Sequence, residues 1–176
     1  MQPLFENNNL PTESLPQITR LEFQGIEKDY AKILYISNTI FFVAVLVAII
    51  LVIMLELGFS HWLSPTLILA WLALYLGSLW LSSISVAHKE YALRQKDISY
   101  KSGIFFRNWI TVPFNRVQHC EISRGVLDNA FGLSVLRVFT AGGSGSDISI
   151  PGLKPETADR LKELIIAKIE AADEEE

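Results

Sequence analysis

The sequence predicts an α+β membrane protein, in which a two-helix transmembrane hairpin precedes a small, bent antiparallel sheet or barrel covered by a C-terminal helix. Three observations predict it. Two long apolar runs without a charged residue, 33–55 and 62–87, stand almost side by side in the chain. Beyond His88 the hydrophobic period falls to two, as in half-buried strands. From Pro155 onward it becomes helical, with apolar residues three and four apart.

The two apolar runs come first because they decide the class. The chain has 176 residues, 50% hydrophobic and 19% charged. The apolar residues concentrate between Ile33 and Ala87. A helix needs about 20 apolar residues to cross the hydrocarbon of a bilayer, and each run is long enough. The expected spans are 33–57 and 63–87, within a hairpin of 31–87. Ser64-Pro65 reads as an N-cap followed by proline at the first helical position. A link this short forces the two helices to be antiparallel. Arg20, Lys28 and Lys32 precede the first span, and Lys89, Arg94 and Lys96 follow the second, while the link carries no Lys or Arg. Positive charge on the inner side therefore predicts a multi-pass protein with both termini in the cytoplasm. No Asp, Glu, Lys or Arg lies in the interior of either span, Glu56 standing at the very end of the first, which argues against an ion or proton pathway. In the second span Ala73 and Gly77 are four apart, as are Ser78 and Ser82. Such spacing lets helix backbones approach, either within the hairpin or against another protein.

The segment before the spans divides in two. Residues 1–20 are rich in Asn, Pro, Glu, Ser and Gln and read as disordered. They lack the basic start and apolar run of a signal peptide. Residues 21–32 mix Leu21, Phe23, Ile26 and Tyr30 with charged residues, which predicts a short interfacial helix within an N-terminal segment of 1–30. Gly25 weakens that helix.

The C-terminal domain is expected over 88–172, followed by an acidic tail, 173–176. Ile98 and Tyr100 alternate with polar neighbours, as do Ile110, Val112 and Phe114. Leu136 and Val138 share one face, and Ile148 and Ile150 another run. Ser102-Gly103 and Gly142-Gly143 supply turns. Pro155, Glu156 and Asp159 suit a helix start. Ala158, Leu161, Leu164, Ile165 and Ile169 form the stripe expected to face the sheet.

Groups that carry chemistry are sparse. Cys120 is the single cysteine, so no intramolecular disulfide or multi-cysteine zinc site can form. His61, His88 and His119 lack metal-ligand spacing. His119 and Cys120 are adjacent strand residues and point to opposite faces. The loop TAGGSGSD, 140–147, lacks the Lys and helix start of a phosphate-binding loop. Net charge is −4, with no basic excess for nucleic acid. The reading is of a protein that is not an enzyme and needs no cofactor or metal. Candidate contacts to anionic lipid or to a partner are Lys89, Arg94, Lys96, Lys101 and Arg107, with Arg116 and Gln118 on one strand face of VPFNRVQ.

These motifs in order also resemble a known family. Lys96-Asp97-Ile98 opens a strand that Gly103 closes. Val112-Pro113 and Arg116-Val117-Gln118 follow. Then come Leu127, Phe131-Gly132-Leu133, Thr140-Ala141-Gly142 and Ile150-Pro151-Gly152-Leu153 before the helix. With the two preceding spans, they resemble the bacterial pleckstrin-homology (PH)-like membrane-flanked domain proteins of the YdbS type, over about residues 33–170. Members often carry an arginine before the Phe-Gly-Leu element, where this chain has Asn129. The resemblance implies a PH-like fold, a bacterial inner-membrane protein and no assigned catalytic activity. It also implies a partner, often a larger relative with several PH-like domains. The expected function is a membrane-anchored scaffold or complex subunit that binds another membrane protein. Homo-oligomerisation, lipid or small-ligand recognition, and an auxiliary role in an export or envelope-defence system stand as alternatives.

Overall fold

The computed structural model describes residues 22–55, 63–141 and 148–173. The N-terminal 21 residues, the link between the spans, most of the Gly-rich loop and the end of the acidic tail fall outside the described residues. Two helices, α1 (Tyr30–Met54) and α2 (Leu63–Ala87), form the hairpin. Both are long and apolar enough to cross a membrane. Helix α2 is described from Leu63, one residue ahead of the cap expected at Ser64. Most side chains of both helices face outward, including Ile40, Phe41, Leu74 and Trp80. On a helix of this composition that is the pattern of lipid contact.

The helices meet through aromatic and polar side chains rather than through the smallest residues. Phe42, Trp71 and Tyr75 cluster, with Trp71 stacked on Tyr75 at 5.5 Å. The Trp71 indole N–H donates to the Phe42 carbonyl at 3.0 Å. The Thr39 hydroxyl lies 3.0 Å from the Tyr75 hydroxyl. Nearer the domain, the Asn38 amide donates to the Ser82 hydroxyl at 2.6 Å.

The remaining elements are β1 (Gln24–Gly25), β2 (Glu90–Leu93), β3 (Asp97–Ser102), β4 (Asn108–Pro113), β5 (Val117–Ser123), α3 (Val126–Ala130), β6 (Ser134–Thr140), β7 (Ile148–Leu153) and α4 (Pro155–Asp173). They make a four-stranded sheet, β1-β2-β3-β4, and a three-stranded sheet, β5-β6-β7. Every pairing is antiparallel. Ile98, Tyr100 and Val112 of the first sheet and Leu136, Val138, Ile148 and Ile150 of the second share one core with Ala158, Leu161 and Ile165 of α4. The expected bent sheet with a covering helix is thus two sheets on one core.

Three expectations change, and one element was not expected. The interfacial helix expected over 21–32 is not found among the described residues ahead of α1: Gln24 and Gly25 form β1, in register with Tyr91 and Glu90, and Tyr30 already begins α1. Its local helical preference, already weak at Gly25, loses to ladder hydrogen bonds and to burial of Ile26 in the domain core. Leu164 is half exposed, whereas Ile165 is fully buried, because the apolar stripe of α4 is narrower than the sequence suggests. Arg116 ends a 3-10 turn, Phe114–Arg116, and so shares no strand face with Gln118 in β5. That turn lets Phe114 enter the core between the two sheets. The short helix α3 has no strand-like or long helical pattern to announce it. It starts where the Asp128 carboxylate accepts from the Gly125 N–H at 2.9 Å, and it ends at Gly132, with φ +63°.

Candidate interaction site at the membrane face

The placement of the basic residues follows from the pairing of β1 with β2. Strand β1 precedes the first span and β2 follows the second, so the two feet of the hairpin are stitched into one sheet. A second stitch lies beside it. The Glu27 N–H donates to the Gly152 carbonyl at 2.9 Å, joining the N-terminal segment to the end of β7. Gly152 has φ +67°, and a Cβ there would lie 2.8 Å from Tyr30 Cβ. The Ile-Pro-Gly-Leu motif therefore needs glycine for two reasons, its backbone conformation and its contact with the first turn of α1.

This frame separates the basic run into two ends. Strands β2 and β3 pair with Glu90 opposite Lys101 and Leu93 opposite Ile98. Lys89 and Lys101 therefore lie at the end that joins α2. Arg94 and Lys96 lie in the turn at the other end, where Arg94 Nε is 2.7 Å from Asp97 Oδ1. The Phe114 N–H donates to the Lys96 carbonyl, so Arg116 also belongs to that far end. Gln118 is exposed on β5. The seven candidates do not form one surface; Lys89, Lys101 and Arg107 are grouped at the membrane end.

Two depressions open there. A polar cleft of about 480 Å³ is lined by His88, Glu90, Lys101, Arg107, Asn108 and Trp109 among others. The Lys101 ammonium lies 3.5 Å from the centre of the Phe23 ring and 4.3 Å from that of Trp109. These two rings meet edge to face at 5.7 Å. Cation–π contact holds Lys101 without neutralising it. The second depression, about 500 Å³, is an apolar groove between the helices and the β3–β4 turn. Leu34, Asn38, Ser78 and Ser82 form its helical wall, and Ile104, Phe105 and Phe106 the other. Lys89 stands at this groove with its ammonium 4.8 Å from the Tyr30 ring centre. Burial lowers the pKa of Lys89.

The helix-packing candidates also divide. Ser82 is buried against α1, and its hydroxyl donates to the Ser78 carbonyl at 2.9 Å. Ser78 donates to the Tyr75 carbonyl at 2.7 Å. Ala73 is exposed, and a Cβ at Gly77 would meet no atom within 4 Å. Those two small residues lie outside the contact between α1 and α2.

The model of the bacterial PH domain family matches residues 31–169. The chain belongs to the bacterial PH domain family. As a bacterial PH domain protein it is also 34% identical over 146 residues to the UPF0699 transmembrane protein YdbS of Bacillus subtilis (strain 168), covering 80% of this chain and 88% of that one. No solved structure matches. It is a transmembrane protein carrying a bacterial PH domain, and the strand β1 that lies ahead of the family match completes that domain's first sheet. Sequence reasoning missed β1 and the Phe23–Lys101–Trp109 cluster. The signal available for them was slight: one aromatic and one buried isoleucine flanking a two-residue strand.

Proposed function

We propose that this protein is a non-enzymatic module of the bacterial inner membrane, which holds its PH-like domain rigidly at the cytoplasmic face and presents it to another membrane protein. The observation that carries the proposal is the double stitch of the hairpin feet, β1 to β2 and Glu27 to Gly152. A domain tied at both feet has a fixed height and orientation above the bilayer, as a docking platform requires. The same pairing puts residues before and after the hairpin on one side. Lys28, Lys32 and Lys89 all lie next to the helix ends on that side, which supports a cytoplasmic assignment.

A partner is supported by surfaces that the chain itself leaves uncovered. Ala73 and Gly77 leave a shallow, smooth strip on α2 where another helix can approach closely. Strand β4 is an edge strand with exposed Trp109 and Ile110. A non-enzymatic role is supported by Cys120, whose burial pushes its thiol up to about 11, leaving it protonated and a poor nucleophile at neutral pH. Photo-crosslinkers placed at Ala73 and Ile110 in intact bacterial membranes test the proposal. A discrete adduct with a second membrane protein is expected. Lipid-only adducts at both positions, together with purification as a lone monomer, would overturn it.

A further inference from the structure

The turn between β3 and β4 reads Gly-Ile-Phe-Phe-Arg, and its two phenylalanines are the most exposed aromatic side chains described: Phe105 is 78% and Phe106 87% exposed. Two adjacent bare phenylalanines on a small domain mark a surface that is not in water. The turn is built to hold them out. Gly103 has φ +97°, and a Cβ there would overlap the Phe106 carbonyl, so the chain closes on itself at the base and projects Phe105 and Phe106 at the tip.

Position supplies the second observation. The tip does not face away from the hairpin; it forms one wall of the apolar groove whose other wall is α1 and α2. Asn38 and Ser78 on that wall are well inside the spans, about 12 Å from Tyr30 and about 13 Å from Ala87 at the rise of an α-helix. A groove at that depth opens to the acyl region of the inner leaflet. Gly103 lines both the groove and the polar cleft, so the two depressions adjoin at the foot of the turn. The cleft offers Lys101, Arg107 and His88, with Glu90 as its one acidic wall residue, and Trp109 sits at the level where indole rings favour the membrane interface.

We infer that the Phe105–Phe106 turn inserts into the inner leaflet as a third membrane contact, and that the adjoining cleft and groove hold one bilayer phospholipid, its phosphate at Lys101 and Arg107 and an acyl chain between the turn and the helices. The occupant is a lipid rather than a peptide because the groove is walled by membrane-spanning helices and its polar mouth carries a net positive charge at headgroup height. The inference rests on the transmembrane placement of the hairpin and is independent of any protein partner.

Two measurements on the full chain in nanodiscs of phosphatidylethanolamine and phosphatidylglycerol test it. First, a nitroxide at F106C in a C120S background is compared with labels at L74C, in the span, and V126C, exposed on the domain. Collision with oxygen rather than with a water-soluble nickel chelate, as for L74C, is expected at F106C. Nickel accessibility equal to that of V126C would overturn the insertion. Second, native mass spectrometry reads the phospholipid retained after release from the nanodisc. K101Q/R107Q is expected to weaken retention by about thirtyfold, from about 1 kcal/mol for each cation at the membrane surface. R94Q/K96Q, at the far end of β2 and β3, is expected to leave it unchanged. Equal loss in both double variants, or no loss in either, would overturn the headgroup assignment. Failure of these tests would leave the partner crosslinks at Ala73 and Ile110 untouched, and the reverse holds too.

Discussion

A methyl group added at Gly152 would sit 2.8 Å from the Cβ of Tyr30, so the backbone at the end of the last strand packs directly on the Tyr30 side chain, in the first turn of the first span. Together with the pairing of β1 with β2 and the hydrogen bond from Glu27 to Gly152, that contact joins the two halves of the protein. It makes the hairpin and the domain one mechanical unit rather than an anchor and a tethered load.

Gly152→Ala is therefore expected to destabilise the protein by about 1–3 kcal/mol, through a left-handed backbone position and a steric overlap together. Thermal unfolding in mild detergent reads the loss. Adding Tyr30→Ala is expected to recover little of it, because alanine keeps the Cβ that lies 2.8 Å away, loses only the ring contact at 3.0 Å and leaves the backbone conformation as it was. Full recovery would show that the Tyr30 ring alone matters.

Ile26 lies ahead of both spans yet is buried in the domain core. Ile26→Ala is expected to cost about 2–4 kcal/mol, the usual range for a buried isoleucine. Limited proteolysis should then cut faster within 90–140, far away in sequence. Unchanged protection there would show that β1 is not part of the folding unit.

The hydrogen bond from Asn38 to Ser82 joins the helices near the domain. In lipid such a bond contributes modestly, since the separated helices find other partners. A double-mutant cycle with Asn38→Ala and Ser82→Ala is expected to give a coupling of about 0.6–1.7 kcal/mol in a reversible unfolding assay in bicelles. Zero coupling would contradict the pairing.

Cys120 holds its proton up to about pH 11 because burial penalises the thiolate, with Lys162 offsetting part of that penalty. The unfolded thiol releases its proton at a lower pH, near its ordinary value of 9.0. Between these values the unfolded chain binds fewer protons than the folded one, so stability falls as pH rises. Cys120→Ala is expected to flatten that part of the curve. Disulfide-exchange reagents should react slowly with the native thiol at pH 8 and faster as pH approaches 11.

Much of the fold is legible because it depends on local pattern. The spans are visible in runs without charge. Ile148 and Ile150 are visible through period-two alternation, and Ala158, Leu161 and Ile165 through helical spacing. Leu164 misleads because a helical stripe has a margin, and only the packed sheet decides where it ends. Arg116 misleads because a 3-10 turn of three residues is too short to break a strand-like pattern. The basic residues were legible as a run but not as a site. Antiparallel pairing folds 89–107 back on itself, sending Arg94 and Lys96 to the end opposite Lys101.

By itself the sequence determined that this chain carries two helices long and apolar enough to cross a membrane, that an α+β domain follows, and that the domain's motifs are those of its family. These are statements about composition and period, which hydrophobic burial reads along a few neighbouring residues. The tertiary structure alone decided that Gln24 pairs with Tyr91 across the whole hairpin, that Gly152 rests on Tyr30, and that the Phe105–Phe106 turn stands beside the spans. A two-residue strand has no period to detect. A contact between residues far apart in the chain is selected by the shape of the finished core, which no local stretch encodes.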